Sequence, residues 1–330
     1  VIPGSLPEPS HPLATLPSMT RLFVEGWAPE YGASVEPDED LRPAEGSVDV
    51  EVEERPWEPV AGSDDGIPKV AFIDGVRRVD ARLVLDTDAG PVPGICGTHA
   101  VGAVLWDRVE PRSEIVEAAV SRVALLTGGH VPEFPPLPHG IVFDAGAVPD
   151  NDPADLIRSF HDGMRRGEAR LAEEMSLGGY FVVADGPLYE YTDSDKMGFV
   201  KSHRRSYLPE THASIIGDLG SGERTPLFTI GEGGYRRYSW YVRLADRGRG
   251  HSWAGIARCE ASAVPGLEAV VTIADRSAAI LPMVASEPHI DPRAPQNLVP
   301  IAALERDLRH RMGDAGLVVR ALRTALGAAA

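Results

Sequence analysis

The sequence predicts an α/β protein in which a mixed sheet is flanked by helices, and three observations carry that expectation. Segments rich in β-branched residues follow one another from Lys69 with only short turns between them. A long segment beginning at Pro153 has helical periodicity and leads straight into the apolar run YFVVADGPL. The last stretch closes on two more segments of helical spacing, GLEAVVTIADRSAAILPMVA and IAALERDLRHRMGDAGLVVRALRTALG. Strands, then a helix, then further strands imply helices packed on a sheet.

Each element has its own local signature. KVAFIDG, RRVDARLVLD, GTHAVGAVLWD and SEIVEAAVSRVALLTGG read as four strands bounded by Gly, Pro or Asp, and the short turns imply antiparallel neighbours. After the Pro-rich loop VPEFPPLPHG, Asp152 and Pro153 have the character of an N-cap and first helical position, and Gly178 that of a stop. MGFVKSH, RRYSWYVRLA and SWAGIARCEA read as further strands, and the C-terminal helix should break between residues 313 and 316.

A chain of 330 residues with 43% hydrophobic and 25% charged composition suffices for one large domain or two small ones. No apolar run approaches the roughly 20 residues that span a bilayer, and the first thirty residues lack the pattern of an export signal. A cytoplasmic protein with no membrane partner is expected. Cys96 and Cys259 have no second thiol or histidine at zinc spacing and read as buried, reduced thiols. The net charge of -17 is uneven: residues 1–66 hold 15 acids against 3 arginines. We read residues 1–66 as an acidic, Pro-rich N-terminal arm carrying one or two strands, SVDVEVEERPW the clearest, and residues 67–330 as the main domain. The arm fits either a solvated face or a partner-binding surface. With most of the acidity there, a groove for nucleic-acid phosphates is permitted on the remainder.

The chemistry concentrates in carboxylates. Asp74 follows the apolar strand VAFI, Asp185 follows YFVV, and a glycine follows each. An acid at a strand's end points into the crevice where neighbouring strands also end, and two such acids suit one hard, oxygen-preferring cation. Either Asp alone fits an Asx turn equally. On the helix from Pro153, the stripe of Leu156, Phe160, Met164, Leu171 and Met175 has Glu168 on its border, about 120° from Leu156, and Glu173 on the far side. Glu168 thus fits a metal ligand or an ion pair with Arg165 or Arg166, and Glu173 should face solvent. On the C-terminal helix Glu305 borders the stripe of Ile301, Leu304, Leu308 and Met312, and fits a fourth ligand or a helix ion pair with Arg309.

In this order, FIDGVRR, the helix bearing Glu168, DGPL at Asp185, GFVKSHRRSYL and NLVPIAALER resemble the NurA nuclease family over about residues 69–311. The resemblance implies an RNase H-like core and a manganese- or magnesium-dependent nuclease (Mn²⁺ or Mg²⁺) acting on DNA ends and single strands. It also implies a homodimer and partnership with a hexameric HerA-type translocating ATPase. It makes Asp74, Glu168 and Asp185 the metal ligands. Two departures stand out: Val76 replaces the usual Ser after the first Asp-Gly, and Leu304–Glu305 stands where the family favours Ala-His. Lys201 would hold a phosphate, with Arg204 and Arg205 gripping the backbone, although KSHRR also fits a solvated face.

Tyr207, Tyr235, Tyr238, Trp240 and Tyr241 fit base stacking, a core or a dimer interface. His289 and Asp291, on the Pro-rich loop that also carries Arg293, fit a metal or phosphate contact or turn chemistry. GEGG at residues 231–234 lacks the setting of a phosphate loop, and no GxSxG elbow is present. The alternative to a DNA nuclease is an inactive NurA-like subunit that binds DNA or docks on an ATPase ring.

Overall fold

The computed structural model describes residues 21–24, 48–190, 192, 194–201, 207–231, 236–246, 248 and 251–328. Among these, β1 (Arg21–Val24) and β2 (Val60–Ala61) precede three long strands, β3 (Lys69–Thr87), β4 (Gly90–Asp107) and β5 (Arg112–Leu126), and the short β6 (Asp144–Ala147). Helix α1 (Pro153–Leu177) leads into β7 (Phe181–Asp185) and β8 (Lys196–Val200). Short helices α2 (Glu210–Ala213) and α3 (Ile215–Asp218) precede β9 (Glu223–Arg224), β10 (Phe228–Ile230), β11 (Arg237–Arg243) and β12 (Ile256–Ser262). Helices α4 (Leu267–Ile280), α5 (Val299–Arg311) and α6 (Ala315–Ala328) complete the order.

Strands β3, β4 and β5 form the antiparallel meander that the short turns imply. Strand β7 then joins β3 in parallel, β8 joins β7 in parallel, and β12 and β11 extend the sheet antiparallel beyond β8. The central order β5-β4-β3-β7-β8, with its middle strand earliest in sequence among the five, antiparallel to β4 and parallel to β7, is the RNase H-like arrangement, and β1 pairs antiparallel with the far part of β3. Alternation along β3 divides the core. Ala71 and Ile73 lie under α1 with Met164 and Leu171, while Val70 and Phe72 face Ile273, Leu298 and Ile301 on the side of α4 and α5. The N-cap is as the sequence indicates, with Asp152 accepting from the Ala154 amide at 2.9 Å, and Gly178 closes α1. No described helix is long and apolar enough to cross a membrane. Both cysteines are buried and free.

Two local expectations are corrected. KVAFIDG and RRVDARLVLD are one strand of 19 residues, because Gly75 stays extended and paired with Val101. The irregularity falls instead at residues 79–81, where buried Asp80 accepts from Arg78 and Thr98. The described part of SVDVEVEERPW, residues 48–57, forms no strand, only a bridge between Asp49 and Thr229. Its Glu53 turns in to accept from both Arg224 amino groups, at 2.8 and 3.0 Å, and from the Leu227 amide at 2.7 Å. A buried guanidinium that needs its charge matched outweighs the strand periodicity there.

The contact of α1 with β4 is close enough to depend on a missing side chain. A Cβ on Gly97 would lie 2.5 Å from the Phe160 ring. Gly97→Ala should lower unfolding free energy by about 1–3 kcal/mol through overpacking, as measured by denaturant titration, and adding Phe160→Leu should recover part of the loss.

Candidate functional site

The register of the parallel strands builds the site. Ile73 pairs with Ala184, so Asp74 and Asp185 stand one residue further on, side by side on β3 and β7. Asp74 therefore lies inside a long strand and not at a strand's end, while Asp185 does end β7, with Gly186 at φ 85° turning the chain away. Strand β8 finishes at the same level, and Lys201 just beyond it donates from Nζ to Asp185 Oδ2 at 2.7 Å. The third acid comes from above. Helix α5 packs Leu304, Leu308 and Met312 on Val76, Ala100 and Val104, which sets Glu305 over the sheet with 6% of its surface exposed. One oxygen from each of Asp74, Asp185 and Glu305 lies within 4.8 Å of the others.

The surroundings offset this charge unevenly. Asp74 Oδ1 accepts from the Gly75 amide at 2.8 Å, but Oδ2 is buried and has no partner among the described residues. Burial, and then the charges of Asp185 and Glu168, push the Asp74 carboxyl well above the usual carboxylate range, with Lys201 acting against them. Glu305 keeps a lowered pKa despite its burial, because Arg293 binds both its oxygens, at 3.2 and 3.1 Å, and Lys201 and Arg309 add positive charge.

Glu168 is buried as its place on the helix indicates, yet it is not one of the close trio. It lies on the α1 side of the sheet, where a Cβ on Gly75 would come 2.4 Å from its Oε1. The glycine after Asp74 thus permits a close approach and makes no turn. Arg165 donates to Glu168 at 2.9 Å and to the Asp185 carbonyl at 3.2 Å, and also to the Pro187 carbonyl. The ion-pair alternatives for Glu168 and for Glu305 are both present, and each acid is also buried near Asp74. Glu173 is not free in solvent but accepts from the buried Lys196 at 2.7 Å and from Thr192 and Ser194.

Of the other expected contacts, Arg204, Arg205 and Tyr235 lie outside the described residues. Tyr207 lies under the Arg258 guanidinium at 4.8 Å and packs on a core that includes Tyr241. Tyr238 packs half-buried against the core on the other face. Trp240 and Tyr241 are themselves buried, with the Trp240 indole donating to Ser277 at 2.9 Å, so they cannot stack on bases. Exposed His289 pairs with Glu287 at 3.3 Å, and Arg293 is held by Asp291 and Glu305. The sequence reading missed Asn297. Fully buried, it accepts from Lys201 at 2.9 Å and donates to Asp291 at 2.6 Å. Nothing local in QNL marks that role, which exists only once the loop after Asp291 reaches the end of β8.

Fold and site together define an RNase H-like sheet with a buried carboxylate cluster beside the carboxyl ends of its parallel strands. No protein-family model matches the chain, and no curated protein does. Among solved structures it is similar to the NurA nuclease from Sulfolobus solfataricus, at 12% identity and TM-score 0.42, over 78% of this chain and 84% of that one. It is also similar to the catalytic domain of human Endonuclease V, at 15% identity and TM-score 0.31, over 76% of this chain and 85% of that one.

The raised Asp74 pKa gives a pH signature. Folded Asp74 keeps its proton at pH values where unfolded Asp has lost it, so metal-free stability falls as pH rises from about 4, the unfolded value, through the raised folded value. Asp74→Asn should raise the metal-free melting temperature at pH 7, with the gap closing below about pH 4. Thermal melts in EDTA across that range check it, and an equal gap at both ends would refute the assignment.

Proposed function

We propose that the chain is a divalent-metal-dependent nuclease that hydrolyses DNA phosphodiester bonds. The observation that carries this reading is Asp74 Oδ2, a buried acceptor without a partner among the described residues, set beside oxygens of Asp185 and Glu305. An orphaned carboxylate oxygen among other acids is costly in isolation and suits a hard dication with oxygen ligands. The residues therefore fit Mn²⁺ or Mg²⁺, with Asp74, Asp185 and Glu305 as ligands and Glu168 as a nearby charge on the other face. Bound there, the cation supplies Lewis-acid polarisation of the phosphodiester and activation of water.

The chain's own residues do the rest. Lys201 occupies only Asp185 Oδ2, which leaves the other oxygen available, and its ammonium is a point charge for a phosphate at the mouth of the site. Arg165 ties α1 to the carbonyls of Asp185 and Pro187, and buried Glu260 accepts from the Leu188 amide at 3.0 Å. The turn that carries Asp185 is thereby fixed from both sides, so the carboxylate is preorganised. DNA as the substrate, a homodimer and a HerA-type ATPase partner follow from the resemblance of the motifs to the NurA family, and residues 67–330 are taken as the nuclease domain.

Cleavage of an end-labelled single-stranded oligonucleotide in Mn²⁺, with EDTA as the control, tests the reading. Asp74→Ala and Asp185→Ala should reduce cleavage to background while the protein still melts cooperatively. Glu173→Gln should cut normally but melt earlier, because Lys196 is 2% exposed and loses its charged partner. Near-normal cutting by Asp185→Ala would place the chemistry elsewhere.

For the assembly, sedimentation should give twice the monomer mass, and a HerA-type ATPase should co-purify with the chain. A strict monomer that captures no such ATPase would remove that part of the proposal.

A further inference from the structure

Asp74, Asp185 and Glu305 differ in what covers them, and Glu305 is the most thoroughly masked. The Arg293 guanidinium donates from Nη1 to Oε1 at 3.2 Å and from Nη2 to Oε2 at 3.1 Å, a two-pronged grip on one carboxylate. Arg293 is held in turn by Asp291, which accepts from its backbone amide at 2.8 Å, Nε at 3.3 Å and Nη2 at 3.2 Å. Asp291 is anchored by Asn297, which also holds Lys201 against Asp185. One chain of hydrogen bonds thus joins the two cations that face Asp185 and Glu305.

The two ends of the Arg293–Glu305 pair sit in different surroundings. The Glu305 side chain is 8% exposed and the Arg293 side chain 52% exposed, so the guanidinium borders solvent at the rim of the carboxylate cluster. A positive charge bound to both oxygens of Glu305 repels a dication approaching the same group. It is also a fork that matches a phosphate, and a backbone phosphate arriving at the rim competes for it with the same bidentate geometry.

We propose that Arg293 is a substrate-released counter-ion: it masks Glu305 until a nucleic-acid phosphate takes its guanidinium, and its departure opens Glu305 to the metal. The proposal rests on the nuclease reading and deepens it. Linkage then requires that metal and polyanion each tighten the binding of the other. Arg309 also reaches Glu305, at 3.1 Å, but as a single contact from the same helix, so the proposal assigns release to Arg293 alone.

The test measures Mn²⁺ binding to the full chain without nucleic acid, by the electron paramagnetic resonance of free Mn²⁺. Separately, it measures binding of a single-stranded phosphorothioate oligonucleotide that resists cleavage. Arg293→Met should bind Mn²⁺ about tenfold more tightly than the parent and the oligonucleotide about tenfold more weakly. These opposite signs are not produced by a merely structural role. Arg311→Met, whose residue pairs only with Asp307 among the described residues, should change neither. If Arg293→Met fails to melt cooperatively, Arg293→Lys serves in its place. It keeps a charge but can grip only one oxygen well, and should tighten Mn²⁺ binding by a smaller factor. Equal or weaker Mn²⁺ binding in the folded variant overturns the proposal when the parent binds Mn²⁺ and cuts DNA. A parent that neither binds Mn²⁺ nor cuts DNA overturns the nuclease reading itself.

Discussion

Burial of acids beside one another is the constraint on which the site depends. Asp74, Asp185, Glu168 and Glu305 converge from β3, β7, α1 and α5, and such a group survives in a folded chain only if its charge is offset. Three of the four have a dedicated cation: Lys201 on Asp185, Arg165 on Glu168, and Arg293 with Arg309 on Glu305. Among the described residues Asp74 has only a backbone amide, and it is the acid whose pKa is driven up. The acid left without a cation is the one on the central strand, and its raised pKa keeps it protonated where an unfolded Asp has ionised.

The sheet sets half of that convergence. Parallel pairing of β3 with β7 puts the end of β7 beside the middle of β3, so Asp74 and Asp185, in register, meet on one face, with the end of β8 beyond. The antiparallel extension through β12 and β11 has a different role. Glu260 on β12, clamped by Arg258 and Arg237, reaches back to the Leu188 amide and fixes the turn after Asp185. Stability there serves geometry, because a buried ion pair of this kind is retained for position more readily than for net free energy.

Much of this was legible in the sequence, and the limits have physical causes. The meander, α1 with its Asp152 cap and the helical C-terminus could be read because their periodicity and capping are local. Wheel positions alone placed Glu168 and Glu305 at buried borders, where both are found. The continuous β3 was misread because a glycine within a strand looks like a turn unless one knows that Glu168 must pack against it. SVDVEVEERPW was misread because Arg224, which bends it, lies far along the chain. The aromatic strand at Trp240 and Tyr241 has the same alternation whether its faces meet bases or a core, and here Trp240 meets α4 while Tyr241 packs on the other face against Ile215, Ile216 and Phe228. Asn297 has no local signature at all.

The sheet plane also explains why four acids do not form one equivalent set. Asp74, by alternation with Phe72 and Val76, faces α5, and Asp185 and Glu305 meet it there, whereas Glu168 comes from the α1 face and reaches the same neighbourhood only because Gly75 has no side chain. A ligand on the α5 face could therefore use Asp74, Asp185 and Glu305 without moving α1. Arg165 holds Glu168 by Oε2 on the α1 side while it also fixes the carbonyls of Asp185 and Pro187, so the place of the fourth acid is tied to that of the second. The α5 face thus presents three acids to one another, and the fourth stands behind the strand with its own cation, Arg165.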